Sequence, residues 1–163
     1  MTLAEINALP VDVFVARYGA LFEHSPWVVE RAATSRPFDD VHAGLMAVVH
    51  DASPGEQLAL IRAHPELAGK AAIDGTLTEA SAAEQASAGL DRMTRAEFDR
   101  FHALNAAYRE RFAMPFIICV RLTDKPGILA AMERRLENDA AGEVATAIAQ
   151  IGEIVRLRLE ALP

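Results

Sequence analysis

The chain has 163 residues, of which 52% are apolar, and a formal net charge of −7. That length supports one domain burying roughly 70% of its unfolded surface, and the composition is too apolar for disorder and too acidic for a phosphate backbone to be the main ligand. Lys and Arg form no stripe with interleaved aromatics, so nucleic acid is not an expected partner, and Cys119 as the sole cysteine excludes an intramolecular disulfide or a Cys-rich metal site.

Helix signals dominate from the N-terminus onward. Thr2-Leu3-Ala4-Glu5 reads as a capping box that opens a first helix. Its surroundings lack the charged and apolar regions of a signal peptide. Ser25-Pro26 opens a helix through Trp27, Val28 and Val29. Val41, Leu45, Val48 and Val49 then recur at helical spacing. Ser53-Pro54-Gly55-Glu56 is a second capping box, with Pro54 suited to the first helical position. Pro65 disfavours the α region for His64, so this helix should end there. Lys70 to Thr78 reads as a loop, with Asp74-Gly75 as its turn signal.

A third capping box, Thr94-Arg95-Ala96-Glu97, opens what should be the longest helix, running to Phe112 with Phe98, Phe101, Leu104, Tyr108 and Phe112 along its apolar stripe. Asn105, Tyr108, Arg109 and Phe112 also read as one polar edge of it. Phe116-Ile117-Ile118-Cys119-Val120 is the one strand-like run, and a single run makes no sheet. An extended segment threaded through a helical core is expected, with backbone donors available to a ligand. A last helix follows Gly142, turning Ile148, Ile151, Val155, Leu159 and Leu162 inward. No apolar run approaches the ~20 residues that span a bilayer. The C-terminal Ala161-Leu162-Pro163 is not a peroxisomal address. The expectation is an all-α, single-domain helical bundle over 1–163, with a cytoplasmic location and no membrane partner.

Few residues offer chemistry. Histidine is the side chain whose unperturbed pKa lies closest to neutrality, so His64 can move protons in either direction; set against that, a histidine at a helix end also simply favours the helix dipole. Ser81, Glu84 and Gln85 stand at i, i+3 and i+4, which puts a hydroxyl, a carboxylate and an amide on one helix face. The plain alternative is a solvated surface or a local cap. His64-Pro65-Glu66 matches half of a zinc-deaminase motif whose P-C-x-x-C half is missing. His24, His42, His50 and His102 are scattered, so no metal is expected. Cys119, in an apolar run, reads as inert core. Arg156 and Arg158 cannot face the same way, and an inward one needs an anionic or carbonyl partner.

Four stretches stand in order: His64-Pro65-Glu66-Leu67-Ala68-Gly69-Lys70, Ser81 to Leu90, Leu104 to Phe112, and Met114-Pro115-Phe116-Ile117-Ile118-Cys119-Val120-Arg121. With Glu143, Ile148-Ala149-Gln150-Ile151 and Leu157-Arg158-Leu159, they resemble the 2-oxo-4-hydroxy-4-carboxy-5-ureidoimidazoline (OHCU) decarboxylases. That family takes the last step from urate to allantoin. The resemblance runs from about Phe14 to Leu159, and Met114 departs from the Phe or Gly-Phe of many members. It implies a cofactor-free, commonly homodimeric enzyme acting on a small molecule. His64, Glu84 and Arg158 match its catalytic positions. Pro65, Ser81, Gln85 and Phe116, Ile117, Ile118, Cys119 and Val120 match substrate contacts, alongside Glu84. A helical module that binds a ureide metabolite or a partner protein without catalysis is the rival reading. Metal-dependent hydrolysis of a cyclic ureide is a third.

Overall fold

The computed structural model describes residues 1–163 and is built of helices and connecting loops without a strand. The all-α class follows from the helical periodicity. Two compact units can be distinguished, Met1–Ala63 with Gly152–Pro163, and His64–Ile151.

The first unit holds α1 (Leu3–Ala8), α2 (Val11–Tyr18), α3 (Trp27–Ala33), α4 (Val41–Asp51) and α5 (Pro54–Arg62). Their starts are set locally. The Thr2 hydroxyl accepts from the Glu5 N–H while the Glu5 carboxylate accepts from the Thr2 N–H, and Ser53 and Glu56 repeat the exchange. Asp40 caps α4 by accepting from the Ala43 N–H at 2.7 Å. Helix α3 packs on both α2 and α4. Phe14, Tyr18, Val28, Val29, Leu45, Val49, Leu60 and Ile61 form a core from which water is excluded. Gly44 lets the Phe38 ring lie against α4, where an added Cβ would stand 2.5 Å from Phe38 Cδ1. Trp27 is half-buried, with the Arg31 guanidinium 4.8 Å from its ring centre. Arg31 also donates twice to Glu56, at 2.6 and 3.2 Å.

The second unit holds α6 (Lys70–Asp74), α7 (Glu79–Ser87), α8 (Arg95–Phe112), α9 (Lys125–Arg135) and α10 (Ala140–Glu160), the last continuing into the first unit after Ile151. Two expectations are corrected. The Lys70–Thr78 loop begins as helix, because Ala71 and Ala72 are strong helix formers, and the Asp74-Gly75 turn signal is its C-cap, with Gly75 at φ 72°. The longest helix is α10 with 21 residues, against 18 for α8. It starts before Gly142, because Asp139 Oδ1 accepts from the Gly142 N–H at 2.7 Å. On α8, Phe101, Leu104 and Tyr108 are buried, while Phe98 and Phe112 at the ends of the stripe are half-buried. Residues 115–119 run as irregular backbone, outside any sheet, into a 3-10 turn at Val120–Leu122. Helix α7 packs on that turn and α8 on α9. No helix is long and apolar enough to cross a membrane.

The capping carboxylates tie stability to acid pH. The Arg31 hydrogen bonds, then the Ser53 N–H, hold the Glu56 carboxyl down at about 2 from an ordinary 4.5. Glu5 and Glu97 are held low chiefly by the N–H groups of Thr2 and Thr94. A depressed folded pKa means stabilisation that is complete above 4.5 and is lost as pH falls toward 2. Glu56→Gln is therefore expected to lower the melting temperature at pH 7 and to flatten its decline between pH 4.5 and 2, as followed by circular dichroism. An unchanged acid slope would remove Glu56 from this role.

Candidate active site

Pro65 ends the helical run before it: α5 stops at Arg62 with Ala63 as its cap. His64 is only 9% exposed, so it is a buried group and not a helix end displayed to solvent. The turn that follows is held from outside itself. Ala68 adopts φ 51°, a left-handed conformation that costs an L-residue roughly 1–2 kcal/mol. Asn105 Nδ2 donates to the Leu67 carbonyl at 2.8 Å, and the Ala68 N–H donates to Gln85 Oε1 at 3.0 Å. His102 Nε2 lies 3.1 Å from the Ala68 carbonyl. A carbonyl can only accept, so Nε2 carries the proton. Arg109 forms an ion pair with Glu66. Asn105 and His102 were not expected here, since α8 read as a core helix with a solvated edge. Asn105 is in fact buried.

Ser81, Glu84 and Gln85 share one face of α7, as their spacing requires. Ser81 and Gln85 are buried and Glu84 is half-buried. The Gln85 amide oxygen is committed to the Ala68 N–H, which leaves its NH2 end as the side that can serve a ligand. Pro65 is half-buried.

The segment Phe116 to Val120 is fixed from both sides. Phe116, Ile117, Cys119 and Val120 are buried and Ile118 is half-buried. The expectation of backbone donors available to a ligand fails at Cys119, whose N–H donates to Gln150 Oε1 at 2.9 Å. Arg135 Nη1 donates to the Ile117 carbonyl at 2.6 Å, and the guanidinium lies 4.2 Å from the Phe116 ring centre. Its Nε donates to Glu143 at 2.9 Å. Glu143, wholly buried, also accepts from the Tyr108 hydroxyl at 2.6 Å and from Asn138 at 2.8 Å. Burial first, and this carboxylate second, push the Tyr108 phenol well above its usual range. Tyr108 is thus a core member and not part of a polar edge.

A cavity of about 410 Å³ opens beside Ala68 and Gln85. Ala72, Ile73, Leu77, Leu90, Met93 and Phe98 make its walls apolar, and its one charged lining residue is Asp91. Such walls suit no anion. Among His, Cys, Asp and Glu side chains, no three converge as metal ligands do.

Arg158, in the first unit, is buried and faces inward. Its Nη1 is 3.1 Å from Glu23 Oε1 and 3.3 Å from the Leu21 carbonyl. Arg156 remains outside, paired with Glu153 and Glu160. The inward arginine thus has both partner types that burial demands. Glu23, itself buried, and Arg135 carry no signal in the sequence, and Glu143 enters it only through the last-helix resemblance. In the second unit the structure joins the His64 turn to α7 through Gln85, and packs α7 against the turn that follows Cys119. One signal was available in advance: His102, Asn105 and Arg109 stand at i, i+3 and i+7.

Comparison with known proteins accounts for nearly the whole chain. The OHCU decarboxylase family model matches residues 7–160. The chain is 44% identical over 162 residues to the 2-oxo-4-hydroxy-4-carboxy-5-ureidoimidazoline decarboxylase of Haloferax volcanii, covering 98% of this chain and 94% of that protein. A solved (S)-allantoin synthase aligns with a TM-score of 0.76 at 27% identity, over 99% of this chain and 53% of that one, so the chain spans about half of it. An OHCU decarboxylase crystallised in the presence of (S)-allantoin shares the fold, with a TM-score of 0.67 at 19% identity over 87% of this chain and 93% of that one.

The buried pair gives a stability test. Removing one partner strands the other's charge, so Glu23→Ala should cost about 3–5 kcal/mol in urea unfolding. The double variant Glu23→Leu with Arg158→Met should lose less than Glu23→Ala alone. A single variant of wild-type stability would mean that the ion pair does not support the fold.

Proposed function

The chain belongs to the OHCU decarboxylase family, and on that premise we propose that it is a carboxy-lyase converting OHCU to (S)-allantoin and carbon dioxide in urate degradation. The observation that carries the reading from family to mechanism is His64: buried, on a turn whose backbone is held by neighbouring side chains. A histidine facing solvent would have favoured a non-catalytic ureide-binding module.

The substrate carries its carboxylate and a hydroxyl on one ring carbon, beside a C=N bond. When carbon dioxide leaves, the electron pair of the broken C–C bond moves into that C=N, so the substrate supplies its own electron sink. The enzyme must stabilise the electron-rich enaminol and deliver one proton to one face of the former C=N carbon, while the hydroxyl gives up its proton and becomes the ring carbonyl. We assign that delivery to His64, after it has helped polarise the hydroxyl. Glu84 holds the hydroxyl or ureido group and keeps His64 in the useful tautomer. Ser81, the Gln85 NH2 and the Phe116–Val120 segment grip the ring carbonyl and ureido amide, with Pro65 shaping the contact. The Cys119 N–H, committed to Gln150, does not take part in that grip.

Arg158 is assigned to a carbonyl or to developing enolate-like charge. A tight ion pair to the departing carboxylate would stabilise the ground state as much as the transition state. Its pairing with Glu23 supports this assignment, since a substrate carboxylate would have to compete with a carboxylate already there. We further propose that residues 1–163 act as one such domain, that the protein works as a homodimer, and that it works in the cytoplasm.

Three outcomes are expected when OHCU is generated in situ from urate and (S)-allantoin is followed by circular dichroism. His64→Asn should fold and lose on the order of 10²–10⁴ in rate; near-wild-type turnover would remove His64 from the mechanism. Arg158→Lys, keeping charge but losing the planar fork, should lower kcat and kcat/KM together. A raised KM with unchanged kcat would make Arg158 an anchor instead. Activity should survive exhaustive chelation, because the electron sink belongs to the substrate; loss that one divalent ion restores would revive the hydrolase reading.

A further inference from the structure

Helix α8 presents His102, Asn105 and Arg109 at i, i+3 and i+7, on one face. They meet the His64 turn in reverse order, His102 at Ala68, Asn105 at Leu67 and Arg109 at Glu66. The Leu67 carbonyl and the Ala68 N–H belong to a single peptide group. Asn105 holds one end of that group and Gln85 the other, at 2.8 and 3.0 Å, so its plane is fixed. His102 holds the carbonyl of the next peptide group. With both planes fixed, the left-handed φ of Ala68 is imposed on it. Between this anchored peptide and His64 lie only Pro65, whose ring locks φ, and Glu66, tied by Arg109.

We propose that His102 and Asn105 are positioning residues of the decarboxylation, aiming the His64 imidazole by clamping the two peptide planes at Leu67–Gly69. This rests on the decarboxylase reading of His64. Asn105 itself argues against a role in stability alone. Its Oδ1 is buried and has no hydrogen-bond partner, a cost that an apolar side chain of similar size would avoid. Phe98 stacks on the His102 ring with centroids 4.0 Å apart, so a phenylalanine at 102 can keep the packing while deleting the donor.

The test measures kcat and KM on folded protein for His102→Phe, His102→Gln and Asn105→Leu, with melting temperature as the control. His102→Phe and Asn105→Leu should lower kcat by about 10- to 100-fold, the scale of a small misplacement of a catalytic group, with KM within about twofold. Glutamine places an amide NH2 near the position of imidazole Nε2, so His102→Gln should recover most of kcat. Folded variants with wild-type kcat would overturn the proposal while the wild-type activity left the decarboxylase reading standing. So would an unchanged kcat with raised KM, or a His102→Gln no better than His102→Phe. A wild-type protein without activity would overturn both. If one deletion variant does not fold, the other decides; if neither folds, His102→Asn, one methylene short of the Ala68 carbonyl, takes the place of His102→Phe.

Discussion

The left-handed backbone at Ala68 is the constraint around which the second unit is organised. A glycine there would relieve the steric cost but would also free the turn to move. An alanine accepts the conformation only because both neighbouring peptide groups are bonded to side chains from α7 and α8. Those helices are fixed in turn: α8 begins at a capping box, α7 packs on the 3-10 turn after Cys119, and α8 packs on α9. The placement of one imidazole therefore depends on contacts spread over some seventy residues of chain, from His64 to Arg135. The turn could not be rigid as an isolated peptide.

Buried charge is managed differently in the two units. In the second, Glu143 gathers Tyr108, Arg135 and Asn138 around one carboxylate, and Arg135 extends the network to the Ile117 carbonyl and the Phe116 ring. The network fixes the path of the irregular segment where no β-ladder does so. In the first, Arg158 and Glu23 neutralise each other. The first arrangement orders backbone. The second keeps a cation inside the protein by offsetting part of its desolvation cost.

What the sequence disclosed divides along the same physical line. The three capping boxes, the α3 and α4 starts and the end of α5 before Pro65 are local signals, and they appear in the structure where the residues put them. So does the irregular passage after Pro115. The misses are non-local. The Gln85 amide oxygen and the Cys119 N–H are committed to Ala68 and Gln150, partners 17 and 31 residues away that no local pattern announces. Glu23 and Arg158 are separated by 135 residues, a distance at which no spacing rule speaks. Even α10's early start follows this division, since Asp139 as a cap was a local signal that Gly142 masked.

The single indole offers an unplanned separation of signals. Trp27 belongs to the first unit, under the Arg31 guanidinium, while His64, Ser81 and Glu84 belong to the second. Intrinsic tryptophan emission therefore originates in a different part of the molecule from the proposed proton-transfer chemistry, whereas far-ultraviolet ellipticity sums helices from both. Comparing the two signals during unfolding reads the cooperativity between units directly, because a two-state molecule requires that they change together. The chain thus carries, in one aromatic residue, its own internal reference for whether a defect is confined to the half that bears the histidine.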